Sequence, residues 1–127
     1  TPLPHKTVAT RAGVGWIGKC ALLVTKAFGS AVRLTTVLTN ADLPTTAAVN
    51  ESQCGDCCAC VKVCPAGAPS GKHWQAGMDR DTFFDAFACC HITEKWMTER
   101  HLEHRICGMC IAACPWTQRY LERKSND

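Results

Sequence analysis

Cys54-Gly55-Asp56-Cys57-Cys58-Ala59-Cys60-Val61-Lys62-Val63-Cys64-Pro65 and, further along, Cys107-Gly108-Met109-Cys110-Ile111-Ala112-Ala113-Cys114-Pro115 decide how this chain is read. Both stretches space cysteines two residues apart, place a last cysteine three residues on, and follow it at once with proline. The first runs Cys-x2-Cys-x2-Cys-x3-Cys-Pro; the second runs Cys-x2-Cys-x3-Cys-Pro and lacks one close cysteine. Eleven of the 127 residues are cysteine. In a short secreted chain that density would suggest a disulfide framework. Here the count is odd, and Cys57-Cys58 and Cys89-Cys90 are adjacent pairs that make awkward bridges. Free thiols at this density predict a reducing compartment, and so a cytoplasmic setting.

The spacing matches what a cubane [4Fe–4S] cluster requires. Such a cluster has four iron corners, each needing one thiolate. A Cys-x2-Cys-x2-Cys loop wraps three of them, and the cysteine before the proline ligates the other cluster in two-cluster ferredoxins. The proline ends the turn and redirects the chain. Applied here, Cys54, Cys57 and Cys60 take three corners of the first cluster and Cys114 supplies the fourth. Cys64 crosses to the second cluster and joins Cys107 and Cys110. That cluster is one ligand short, and Cys89 and Cys90 are the candidates. Cys58 is held beside Cys57, and Cys20 lies in a different segment. The unused cysteines are expected to pack as small apolar residues. Zinc would call for isolated Cys₄ sets made of two Cys-x2-Cys pairs and a spacer. His5, His73, His91, His101 and His104 show no zinc-finger order either.

The remainder reads as α+β: a small β-hairpin region over 1–50, then a helical, ferredoxin-like module over 51–127 that binds two [4Fe–4S] clusters. Residues 6–12 predict a short helix closed by Gly13. Residues 21–25 and the β-branched run 31–39 predict the two strands of a hairpin, with a turn at Phe28-Gly29-Ser30. Residues 40–53 predict a connecting loop. Residues 81–88 and 92–102 predict two helices, and the polar tail from Lys124 is expected to fray. Gly13-x-Gly15-x-x-Gly18 has the letters of a dinucleotide fingerprint, but that fingerprint needs a strand before it and a helix after it. Here the order is reversed. The stretch predicts instead a loop whose backbone packs closely on a neighbour or cofactor, with Gly13, Gly15, Trp16 and Gly18 as the candidate cofactor contacts. Trp116, beside Cys114-Pro115, is placed to shield a cluster from water.

The formal charge of +3 counts every cysteine as neutral. A [4Fe–4S]²⁺ core with four thiolates carries about −2, so two clusters would bring the holo-protein to roughly −1. Residues 1–50 hold five Lys or Arg against one acid, Asp42, so an acidic partner is expected to meet that third. No apolar run approaches the roughly 20 residues of a membrane span. The opening Thr1-Pro2-Leu3-Pro4 has neither a starting methionine nor the order of a signal peptide, and it predicts a chain that continues a longer protein.

Residues 12–19 (Ala-Gly-Val-Gly-Trp-Ile-Gly-Lys), Leu22-Leu23-Val24, Phe28-Gly29-Ser30, Val37-Leu38-Thr39 and Cys107-Gly108-x-Cys110-x3-Cys114-Pro115-Trp116 together resemble epoxyqueuosine reductase and its relatives. The likeness runs over about residues 5–121. It implies the redox module of a cobalamin-dependent reductase, of a kind shared with reductive dehalogenases, in which clusters feed electrons to cobalamin. The catalytic and most of the corrinoid-binding region would lie before Thr1, so cobalamin is expected only together with that region. An electron donor and the N-terminal catalytic domain are the implied partners. A tRNA substrate would follow from the resemblance alone. The chain departs from the family at Lys19-Cys20, where Lys-Asn is usual, and in the surround of Phe87-Ala88-Cys89-Cys90. A single cysteine after Phe-Ala in the nearer relatives implies Cys89 as the eighth ligand. The alternative from another class is a stand-alone iron–sulfur carrier or redox-partner binding module with no catalysis of its own.

Overall fold

Pro4 enters the first helix in extended conformation, and α1 spans His5–Arg11. The computed structural model describes residues 3–125; Thr1 and Pro2 of the opening stretch, and Asn126 and Asp127 of the tail, lie outside it. Gly13 follows α1 with φ +69, a left-handed conformation that costs glycine little and stops the helix. The chain then forms β1 (Trp16–Ile17), which pairs antiparallel with β2 (Leu23–Val24) in the register Trp16↔Val24 and Ile17↔Leu23. The turn between them is closed by Gly18 N–H on the Leu22 carbonyl and Ala21 N–H on the Gly18 carbonyl, both at 2.9 Å. It forces Ala21 to φ +58.

The hairpin is therefore shorter and earlier than the sequence predicts. Residues 31–39 form no strand. The run does alternate, with Val32 and Leu34 leaning on the core while Val37 and Leu38 face solvent. A strand needs a partner ladder for its backbone groups, and β2 already pairs with β1, so this segment crosses the surface as extended chain. The predicted turn at 28–30 is present: Thr25 and Gly29 exchange backbone hydrogen bonds at 2.8 and 3.0 Å.

Two short helices carry cysteines: α2 (Ala59–Val63) and α4 (Met109–Ala112), and they pack against each other. Between them, the two helices expected over 81–88 and 92–102 are replaced by a 3₁₀ turn, Arg80–Thr82, and one helix, α3 (Ala86–Glu99). Two aspartates cause the difference. Asp79 accepts from Asp81 N–H and Asp85 from Ala88 N–H, so each caps its own start, and Phe83 is buried between them. The last helix, α5 (Pro115–Ser125), begins at the second Cys-Pro proline, a residue suited to a first helical position. It continues through Lys124 and Ser125, where fraying was expected.

The core gathers Trp16, Ile17, Leu23 and Val24 of the hairpin with Ala9, Ala21, Trp74 and Phe83. Trp16 and Val24 are each 1% exposed, and burying such side chains stabilises by about 1.5–3 kcal/mol apiece. Cys54, Cys114 and Trp116 pack on the edge of this core, which seats the cysteine motifs on the hairpin. The close approach is made by glycine: a Cβ at Gly15 would collide with the Val24 carbonyl, and one at Gly29 with the Thr117 backbone. Gly15→Ala is expected to lower the thermal midpoint, costing about 1–3 kcal/mol through overpacking. A melting curve unchanged from wild type would contradict this packing.

Candidate metal centre

The two cysteine motifs take up matching conformations. Each short helix starts one residue before a Cys-x3-Cys-Pro ending: α2 is capped by Cys58 and α4 by Gly108. Aligning the helix starts pairs Cys57 with Cys107, Cys60 with Cys110 and Cys64 with Cys114. Cys54 is then left without a counterpart in the second motif. Gly55, in the first motif's extra loop, and Gly108, at the start of α4, both adopt left-handed φ, +53 and +75.

The packing of α2 on α4 brings the motifs around a shared cavity of about 370 Å³. Cys54, Cys57, Cys60 and Cys114 all reach it, and these are the four residues assigned to the first cluster from spacing. Cys20 and Cys110 also reach it. Four thiolates on one zinc ion sit about 2.3 Å from it, which leaves no such space between them. Among the described residues no group of three His, Cys, Asp or Glu side chains is placed to share a single metal ion. Thiols from both motifs line this one volume, and a set of four cysteines is the donor chemistry that a cluster takes.

The set assigned to the second cluster is Cys64, Cys89, Cys107 and Cys110, the last of which also lines the shared cavity. Cys64, Cys89 and Cys107 are half-buried, and none of the chain's cysteines is in a disulfide. The Cys89 thiol is pushed up, first by burial and then by the neighbouring thiolates of Cys64, Cys110, Cys107 and Cys90. Cys90, one residue on along α3, turns outward: it is exposed and its Sγ accepts from Arg105 Nη1 at 3.5 Å, with Arg105 also paired to Glu94 at 3.0 Å. Adjacent helical side chains diverge by roughly 100°, so one of the two must turn away.

The glycine loop meets the first motif from behind. Trp16 Nε1 donates to Cys54 Sγ at 3.4 Å. A Cβ at Gly18 would stand 3.6 Å from the same sulfur. Trp116 lines the cavity and meets Trp16 edge-to-face at 5.4 Å, with the Arg119 guanidinium 4.8 Å above its ring. Gly13 and Gly15 are turned elsewhere, towards Thr46 and Val24, so of the loop residues only Trp16 and Gly18 touch a cysteine of the motifs.

Two residues at the site escape the sequence reading. Lys19 is 3% exposed, and its Nζ donates to the carbonyls of Gly55 and Cys57 at 3.0 Å each and to Cys58 Sγ at 3.7 Å. Cys58 is thus half-buried beside a cation, in addition to filling space. Cys20 lines the same cavity as Cys60 and Cys110; hydrogen bonding with the Cys110 and Cys60 thiols, followed by burial, pushes its thiol up. The same contact with Cys20 is the largest influence lowering Cys60 and Cys110, each to about 7. No local spacing links Lys19 or Cys20 to the motifs. Only the turn between β1 and β2 carries them there.

No family model matches the chain, and no solved structure matches it. Curated relatives do. Epoxyqueuosine reductase of Pseudomonas aeruginosa is 30% identical over 92% of the chain, and that of Gloeobacter violaceus is 32% identical over 93%. The enzyme of Listeria monocytogenes serovar 1/2a is 47% identical over 55% of the chain. The chain spans 32%, 37% and 18% of the lengths of these three relatives, respectively. With the cysteine motifs, the glycine loop and their contacts in place, these matches identify the chain as a member of the epoxyqueuosine reductase-like family.

Proposed function

We propose that this chain is an electron-transfer module holding two [4Fe–4S] clusters for a cobalamin-dependent reductase. Cys54, Cys57, Cys60 and Cys114 hold one cluster; Cys64, Cys89, Cys107 and Cys110 hold the other. The observation that carries this reading is the cavity in which Cys114, from the far end of the second motif, lies with Cys54, Cys57 and Cys60 of the first. That crossing is the signature of a two-cluster ferredoxin arrangement. The exposure of Cys90, whose sulfur accepts from Arg105, favours the half-buried Cys89 as the remaining member of the second set.

When bound, the clusters supply one-electron storage and transfer. The residues around them hold and adjust that chemistry. Lys19 ties down the Gly55 and Cys57 carbonyls, and so fixes the first loop before any metal arrives. Its positive charge, buried beside an anionic cluster, offsets part of the added negative charge on reduction. Trp16 N–H, aimed at Cys54 Sγ, acts in the same direction. Trp16 and Trp116 together keep water from that side of the cavity.

Membership of the epoxyqueuosine reductase-like family supports the assignment to a reductase, with a separate region bearing the substrate and cobalamin. That region and an electron donor are the partners proposed here. A cytoplasmic setting agrees with eleven unbridged cysteines. Among the described residues no helix is long and apolar enough to cross a membrane.

Protein prepared without oxygen is expected to contain about eight irons and eight sulfides per chain, from two cubanes with four thiolates each. Stoichiometric zinc without labile sulfide would overturn the proposal. Single substitutions test the eighth ligand: Cys89→Ala is expected to halve the iron content, and Cys90→Ala to leave it unchanged. The reverse pattern would assign the second cluster to Cys90.

A further inference from the structure

Residues 31–39 have the sequence of a strand but no strand beside them. Among the described residues, the backbone N–H and C=O groups of 32–40 make no hydrogen bond to another backbone group. The stretch is nevertheless laid along the molecule. Val32 and Leu34 pack against the core. Thr36 Oγ1 lies 2.7 Å from His5 Nδ1, at the start of α1. Burial alternates accordingly, half-buried at 32, 34 and 36 and exposed at 33 and 35. Past Thr36 the alternation stops: Val37 is 81% exposed and Leu38 82%. Neighbouring side chains of an extended chain point to opposite faces. Val37 and Leu38 thus show apolar surface on both faces, next to an open main-chain edge. Strands that stay at an edge in water are blunted by charges or proline. From Leu34 to Asn40 there is neither.

Apolar residues on both faces suit a strand inside a sheet that is covered on each side. The source of that sheet follows from length. The chain spans 32% of the Pseudomonas aeruginosa enzyme and 37% of the Gloeobacter violaceus one, so most of each relative lies outside the match. A second copy of this chain fits less well, because Arg33 would find no acid between 31 and 41 of that copy. We infer that residues 32–39 are a docking strand, and that a strand from the region the longer relatives carry outside the match pairs with it through main-chain hydrogen bonds. That strand brings apolar side chains over Val37 and Leu38 and an acid to Arg33. The inference rests on the separate region proposed above and does not depend on the cluster assignment. Because the stretch is already laid along the core, less ordering is needed when the partner strand arrives.

The test compares amide hydrogen exchange of residues 32–39 in the whole chain alone and in a chimera in which this chain replaces the matched part of the Pseudomonas aeruginosa enzyme. Alone, the chain is expected to be a monomer whose residues 32–39 exchange freely. In the chimera their exchange is expected to slow by ~100-fold or more. Val37→Asp together with Leu38→Asp is expected to leave the thermal midpoint of the chain alone unchanged, since both side chains are exposed there. In the chimera the same pair is expected to abolish the protection. A chimera that does not fold is replaced by the Pseudomonas aeruginosa enzyme itself, with exchange read and the aspartates placed at the stretch matching 32–39. Free exchange in the folded longer protein overturns the inference, and so does protection that the two aspartates leave intact. A dimer of the chain alone with 32–39 protected makes a second copy the occupant and also overturns it. A folded chimera that exchanges freely here yet keeps the relative's reductase activity overturns the docking strand and leaves the separate region standing. One with neither protection nor activity overturns both.

Discussion

A buried ammonium group holds the site together. Lys19 Nζ lies under the first cysteine loop and bonds the Gly55 and Cys57 carbonyls at 3.0 Å each. A cation that deep is costly unless its hydrogen bonds are met, and here the acceptors are the loop's own backbone. The requirement runs both ways: the loop must fold as it does to satisfy Lys19, and the hairpin must present Lys19 where the loop can use it. That explains the close contacts behind it. Gly15 lies against the Val24 carbonyl, Gly18 against Val24 and Cys54, and Trp16 reaches the Cys54 sulfur. The short sheet is small in extent, but it works as a mount on which the cysteine motifs rest.

The motifs themselves are a near-repeat with one part missing. Their helix starts and Cys-Pro endings align, and only the residue corresponding to Cys54 is absent from the second. In the proposed arrangement α3 supplies it from outside the repeat. Asp85 caps the start of α3, on which Cys89 is half-buried while the exposed Cys90 turns out to Arg105.

The parts of this protein that were legible in its sequence are those governed by local spacing. The two Cys-Pro motifs, the glycine that ends α1 and the turn at Gly29 each follow from a few neighbouring residues. The failures arose where a distant partner decides. Residues 31–39 have the β-branched pattern of a strand, yet β2 pairs with Trp16–Ile17, which the glycine letters disguised as loop. Asp79 and Asp85 divided the 81–102 stretch differently from its helical periodicity. Lys19 and Cys20 belong to the site only through a turn that brings residues nearly forty positions apart into contact. No pattern within their own segment announces that.

The central claim is that the two motifs exchange ligands, so that each of two neighbouring clusters draws thiolates from both. Electron paramagnetic resonance of the fully reduced chain tests this most directly, because two paramagnetic clusters so placed must feel one another. The account predicts a broadened spectrum with spin–spin splitting that simplifies when only one cluster is reduced. Two independent signals that add without interaction in the fully reduced protein would contradict it.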